Sequence, residues 1–245
     1  MSYSALAFAS GCIFLAAIVR GFSGFGFSLL AISALSLVYA PQEIVPTIFM
    51  LEVAASIHLL PSIWKDIHWR SLAPLLLGCL IATPFGVWLL ANVPARPLQI
   101  ALSIFVLVAT ALLWWGYALK SMPGTFTSTA AGAASGLANG AFGIGGPPVI
   151  LFYFASPAGN IAGRASLIAF FLATDLIGLA NQSVHGLVTK EAALRALLFL
   201  PPLVAGVWLG ARSFKSMDAV LFRKWVLVIL AVLAAAIGMK AILGI

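Results

Sequence analysis

Apolar residues fill this chain in long runs, not at the i, i+3, i+4 spacing that leaves one wet face on a helix. The runs predict ten helical segments: about 3–19, 25–40, 44–64, 71–92, 97–118, 125–139, 144–156, 162–183, 190–211 and 221–243, five in each half of the 245 residues. Most approach the ~20 residues needed to cross a ~30 Å hydrocarbon layer. The segments flanking two glycine-rich interruptions are shorter, which predicts re-entrant hairpins or short tilted helices.

Those interruptions are Arg20-Gly-Phe-Ser-Gly-Phe-Gly26 and Asn139-Gly-Ala-Phe-Gly-Ile-Gly-Gly-Pro-Pro148. Gly21, Gly24 and Gly26 superpose on Gly140, Gly143 and Gly145 at a single offset of 119, and Gly86-Val-Trp-Leu89 superposes on Gly206-Val-Trp-Leu209 at 120. The offsets predict one membrane domain, 1–245, built of two repeats, 1–120 and 121–245. Five segments per half would invert the second repeat relative to the first. The expected fold class is therefore an all-α integral membrane protein of two inverted repeats, whose glycine-interrupted or re-entrant helices meet near the midplane around a binding site.

Composition supports lipid as the solvent: 63% of residues are hydrophobic and 8% charged, with mean hydropathy +1.14. The net charge of +7 would suggest nucleic acid in a soluble protein. Here the basic residues gather in short connectors. Segment parity assigns Arg20, Lys65, Arg70, Lys120, Arg164, Arg212, Lys215, Arg223 and Lys224 to one side, and Arg96, Lys190, Arg195 and Lys240 to the other. Nine against four makes the first side cytoplasmic and puts both termini outside, in the periplasm. The N-terminus lacks the positive region of a cleavable signal and reads as a retained membrane helix. Partners are then the bilayer and a small solute, with homo-oligomerisation left open and nucleic acid excluded. Trp64, Trp69, Trp114 and Trp115 fall at span ends, where amphipathic rings settle.

Cys12 and Cys79 lie apart in apolar runs and read as packing residues. His58 and His185 read as buried, hydrogen-bonded histidines. The sequence offers no metal-ligand spacing, no Ser-His-Asp arrangement on a nucleophile turn and no cofactor motif, which argues against an enzyme.

A glycine-rich break survives in hydrocarbon only where protein packs it or water lines it. A helix that starts just after such a break offers free N–H groups and a positive dipole end to an anion. Phe27 and Pro147 are placed to open these helices. Arg20 beside the first break, and Asn139 at the matching place in the second, could add a two-pronged guanidinium and neutral donors. The substrate-binding set is Arg20, Gly21, Ser23, Gly24, Gly26, Asn139, Gly140, Gly143, Gly145, Gly146 and Pro147. Two competing readings are that the glycines merely permit close helix packing and that Arg20 is an orientation charge at the headgroups. Glu52 and Asp175 lie within the central spans of their halves. An ionisable group there faces the interior, so either could carry a coupling proton or neutralise an arginine such as Arg164.

The chain resembles the sulfite exporter TauE/SafE family, also called the toluene sulfonate uptake permease family. The resemblance is carried by Gly21 to Gly26, Gly140 to Gly145, Gly145-Gly146-Pro147, and the run with Gly206, Gly210 and Arg212. It covers essentially the whole chain. It implies a secondary permease in a bacterial cytoplasmic (inner) membrane, moving small sulfur-containing anions such as sulfite, sulfonates, sulfoacetate or thiosulfate. Alternating access, with or without proton coupling, fits the two repeats; an anion channel, or a permease for a small organic carboxylate, is the alternative. The first element departs from the second in having Phe27-Ser28 where the second has Gly146-Pro147, so unequal roles are expected, with charge coming mainly from the first break and backbone donors from the second. Neither motif contains a cysteine, which disfavours relay of sulfur through a thiol.

Overall fold

The computed structural model describes residues 3–115, 123–155, 160–213 and 219–243. These residues form ten α-helices: α1 (Tyr3–Ser23), α2 (Phe27–Leu35), α3 (Pro41–Ile63), α4 (Trp69–Asn92), α5 (Ala95–Trp115), α6 (Thr125–Phe142), α7 (Gly146–Ala155), α8 (Asn160–Val184), α9 (Lys190–Ser213) and α10 (Ala219–Leu243). A 3-10 turn, Trp64–Asp66, joins α3 to α4. Seven helices, α1, α3, α4, α5, α8, α9 and α10, are long and apolar enough to cross a membrane. The protein is an all-α, multi-pass membrane protein.

The solvent-facing pattern is inverted relative to a soluble globule. Leu77, Leu80, Ile81, Phe85 and Trp88 line the outside of α4, while Arg20, Glu52, Ser56, Asn139 and Asp175 are buried. Lipid accepts the first set without cost, and the second must find partners inside the bundle. Prolines inside α3 (Pro46, Pro61), α4 (Pro74, Pro84) and α9 (Pro201, Pro202) are of a kind that membrane helices tolerate.

Small residues set the helix contacts. On α4 and α6, Leu75, Cys79 and Thr83 lie against Gly132, Gly136 and Gly140 in the same order, so the two helices run parallel. On α1 and α9, Phe14 and Ala17 meet Gly206 and Ile18 meets Gly210, again in parallel. By contrast α3 passes α8 in the opposite sense: Phe49 lies against Gly178, whereas His68, beyond the end of α3, donates its N–H to Ser166 Oγ at 2.9 Å. Helices α5 and α10 are also antiparallel. Ser103 Oγ donates to the Ala234 carbonyl at 2.7 Å, and Arg96, at the start of α5, donates to the Ala241 and Ile242 carbonyls at 2.7 Å each.

Both glycine breaks begin later than the sequence reading places them. Helix α1 continues through Arg20 and Gly21 to Ser23, and α6 through Asn139 and Gly140 to Phe142. The residues outside helix are Gly24-Phe25-Gly26 and Gly143-Ile144-Gly145. Three of these glycines adopt positive φ, Gly24 at 82°, Gly26 at 89° and Gly143 at 70°, a region where a side chain would be strained. The chain folds back at each break: Gly26 lies against Val19, and Ser135 Oγ donates to the Gly145 carbonyl at 2.5 Å. Helices α2 and α7, nine and ten residues long, would each reach about half of a ~30 Å hydrocarbon layer.

Lys65, Arg70, Arg212 and Lys224 are exposed, and Trp64 and Trp69 meet edge to face at 5.0 Å beside the α3–α4 turn. Lys120 and Lys215 lie outside the described residues, as does the side chain of Arg223. His58 and His185 differ from expectation in being exposed. His58 falls on the outer face of α3, and His185 lies just beyond α8, where its Nδ1 is 3.0 Å from the Asn181 carbonyl. Cys79 is buried against α6 and Cys12 is half-buried, both as free thiols.

Candidate functional site

Arg20 occupies the last turn of α1, where the C-terminal end of the helix dipole favours a cation. It is fully buried, so it is not a headgroup charge and drops out of the connector count. Its Nη1 lies 2.6 Å from Glu52 Oε2, and its Nη2 donates to Ser56 Oγ at 2.6 Å. The guanidinium carbon also sits 5.7 Å from the centre of the Phe171 ring, within cation–π range. Breaking such a buried ion pair by removing one partner typically costs about 3–5 kcal/mol, because the other charge is stranded.

Glu52, on α3, is 2% exposed. Its second oxygen, Oε1, accepts the Ser28 N–H at 3.1 Å. Ser28 is in the first turn of α2, and Gly26, which caps that helix, supplies no side-chain hydrogen bond. The positive end of α2 does hold an anion in this conformation, and the anion is the protein's own carboxylate.

The second break is built from neutral groups. Asn139 Oδ1 accepts the Gly145 N–H at 3.1 Å, and Asn139 Nδ2 donates to Asp175 Oδ1 at 3.2 Å. Asp175 is 3% exposed, and its Oδ2 has no hydrogen-bond partner among the described residues. Helix α7 opens at Gly146, one residue before the expected Pro147. Of its first three residues only Gly146 has an N–H, since Pro147 and Pro148 have none. The expected role of the second break as the main source of backbone donors is therefore reversed: α2 is the better furnished helix start. Phe171 joins the two breaks, with Arg20 over its ring and Gly146 beside its edge.

The other residues singled out in the sequence divide by task. Gly21 packs inside α1, where a Cβ would meet the Val207 carbonyl of α9, and Gly140 packs inside α6 against Thr83 and Val87 of α4. At these two positions the close-packing reading holds. Ser23 Oγ lies 2.7 Å from both the Val19 and Phe25 carbonyls and accepts the Phe25 N–H at 3.3 Å, so it shapes the first turn. Arg164 does not sit beside Asp175. It lies against Gly24 and donates to the Gly21 carbonyl at 3.4 Å, three turns back along α8.

Sequence reasoning missed Ser56, Ser28, Phe171 and Ser135. The repeat offset could have found two of them. Adding 119 to Ser56 gives Asp175 and adding it to Glu52 gives Phe171, and the Arg20–Ser56 and Asn139–Asp175 bonds each join residues 36 apart.

A model of the sulfite exporter TauE/SafE family matches residues 9–237. The chain is also 29% identical, over 198 residues, to the "Probable sulfite/organosulfonate exporter TauE" of Cupriavidus necator, a match that spans 78% of this chain and 77% of the relative. No solved structure matches at a significant level.

Proposed function

The chain belongs to the sulfite exporter TauE/SafE family, and from that premise we propose that it is a secondary transporter of small sulfur-containing anions, sulfite and organosulfonates foremost. The relative is named for the same substrates. One observation carries the reading: a fully buried arginine, Arg20, is joined through Glu52 to the positive end of α2 in the interior of a membrane protein. A permanently charged side chain is costly in such a place and marks a solute path. Its planar donors and the helix N–H groups suit an oxyanion.

Movement across the membrane follows by alternating access of two inverted repeats. The α1–α9 and α4–α6 contacts correspond under the 119–120 offset, down to Gly21 on Val207 and Gly140 on Val87, and α3 runs antiparallel to its counterpart α8. The protein resides in a bacterial inner membrane with both termini periplasmic. Asp175 carries a coupling proton, since Glu52 is already held by Arg20 and Ser28 whereas Asp175 is met by the Asn139 amide.

Counterflow in proteoliposomes tests this. Vesicles preloaded with sulfite should accumulate external labelled sulfite transiently in a saturable way, and Arg20→Ala protein of equal insertion should not. Sulfite flux that neither saturates nor shows counterflow would identify a channel. Counterflow with a carboxylate but not with sulfite would discard the sulfur assignment.

A further inference from the structure

The donors that a transported oxyanion would use are already engaged, each by a separate oxygen of one side chain. Glu52 Oε2 faces Arg20 Nη1 at 2.6 Å and Oε1 accepts the Ser28 N–H at 3.1 Å. Helix α2 has no local cap: Gly26 adopts φ 89° and offers no side chain, so a carboxylate 24 residues away in the chain satisfies its first turn. One buried polar atom of the same site shows unused capacity. Arg20 Nε has no hydrogen-bond partner among the described residues, and the guanidinium is fully buried. A carboxylate and a sulfite or sulfonate group both offer several oxygens on one centre, so they address a guanidinium and a helix N-terminus in the same way.

We propose that Glu52 is a tethered stand-in for the substrate, and that an incoming oxyanion binds by displacing it from Arg20 and the Ser28 N–H. The inference rests on the anion-transporter reading above and adds its specificity rule: a substrate must outcompete an internal carboxylate for the same donors. Exchange keeps the arginine paired at every stage, so the site is never left with a stranded cation. Ser56 keeps its hold on Arg20 Nη2 throughout and fixes the guanidinium plane. A Glu52 in the bound position also disfavours simple carboxylates as substrates, since they gain nothing over the group they replace.

The test is sulfite binding to purified full-length protein, measured by calorimetry at one pH, in wild type, Glu52→Asp, Glu52→Gln and Arg20→Ala. Glu52→Asp keeps the charge, so Arg20 stays compensated, but its shorter reach cannot hold both donors. A tethered competitor acts at an effective concentration in the mM range, so weakening it should tighten sulfite binding by about 10-fold or more. Glu52→Gln should tighten it further where that protein folds. In the wild type, sulfite should also alter a carboxylate stretching band in the infrared difference spectrum, and Glu52→Asp should move that band. Sulfite bound no more tightly by Glu52→Asp than by wild type, or no carboxylate change on binding, overturns the exchange. Sulfite binding unaffected by Arg20→Ala would instead overturn the anion site itself, whatever the Glu52 variants do.

Discussion

Charge at single residues distinguishes the two acidic groups that the sequence leaves equivalent. Glu52 faces a guanidinium and a helix N-terminus, whereas Asp175 is met by the neutral amide of Asn139. A coupling group must exist in both charge states during a cycle, and a carboxyl without a fixed cation can lose and regain its proton without breaking an ion pair. Asp175→Asn should therefore leave sulfite counterflow largely intact while removing the response of net uptake to an imposed pH gradient. Parallel wild-type and mutant vesicles, with and without the gradient, check it; a mutant still driven by the gradient would remove Asp175 from the coupling role. Arg20 and Asn139 were legible because they adjoin glycine motifs. Ser56 and Phe171 were not, because a serine and a phenylalanine in a long apolar run look like packing until the repeat offset ties them to Asp175 and Glu52.

At the level of whole helices, glycine performs two separate tasks that a sequence motif merges. The positive-φ positions Gly24, Gly26 and Gly143 turn the chain, while Gly21, Gly140, Gly86 and Gly206 bring backbones together. The ten segments themselves were legible to within a few residues from the apolar runs. The late start of the breaks was not, because a glycine inside a helix and a glycine ending one are the same letter. Packing decides between them: Gly140 is walled in by the Thr83 carbonyl and the Val87 backbone. Gly140→Val should separate α6 from α4, lowering the thermal unfolding temperature or preventing purification of folded protein. Gly11, in α1, has nothing within 4 Å of its missing Cβ and is exposed. Gly11→Ala should be neutral or stabilising by up to about 1 kcal/mol, the usual helix preference for alanine. Equal losses in both variants, read by thermal unfolding in detergent, would contradict the division.

For the whole molecule, relative helix directions and connector charge bear on the same question of orientation. Alternation of ten segments sets α1 and α9 in one direction and α4 and α6 in the other, with α3 opposed to α8 and α5 to α10. The packing is parallel for α1–α9 and α4–α6 and antiparallel for α3–α8 and α5–α10, as that alternation requires. In such an arrangement the α1–α2 and α6–α7 pairs enter from opposite faces, and Arg20 and Asn139, just before their turns, reach Glu52 and Ser56 of α3 and Asp175 of α8. Taking buried Arg20 out of the charge count leaves the excess on the face of Lys65, Arg70, Arg212 and Lys224, the face that the proposed orientation makes cytoplasmic. Reporter fusions check it. Alkaline phosphatase should be active when joined after residue 245 or in the α4–α5 connector near Pro94, and inactive in the α3–α4 turn near Asp66, where a fluorescent protein should mature instead. The opposite pattern would invert the molecule. Different answers for the α3–α4 turn and the α9–α10 connector, which the repeat places on one face, would break the ten-segment alternation on which the inverted site depends.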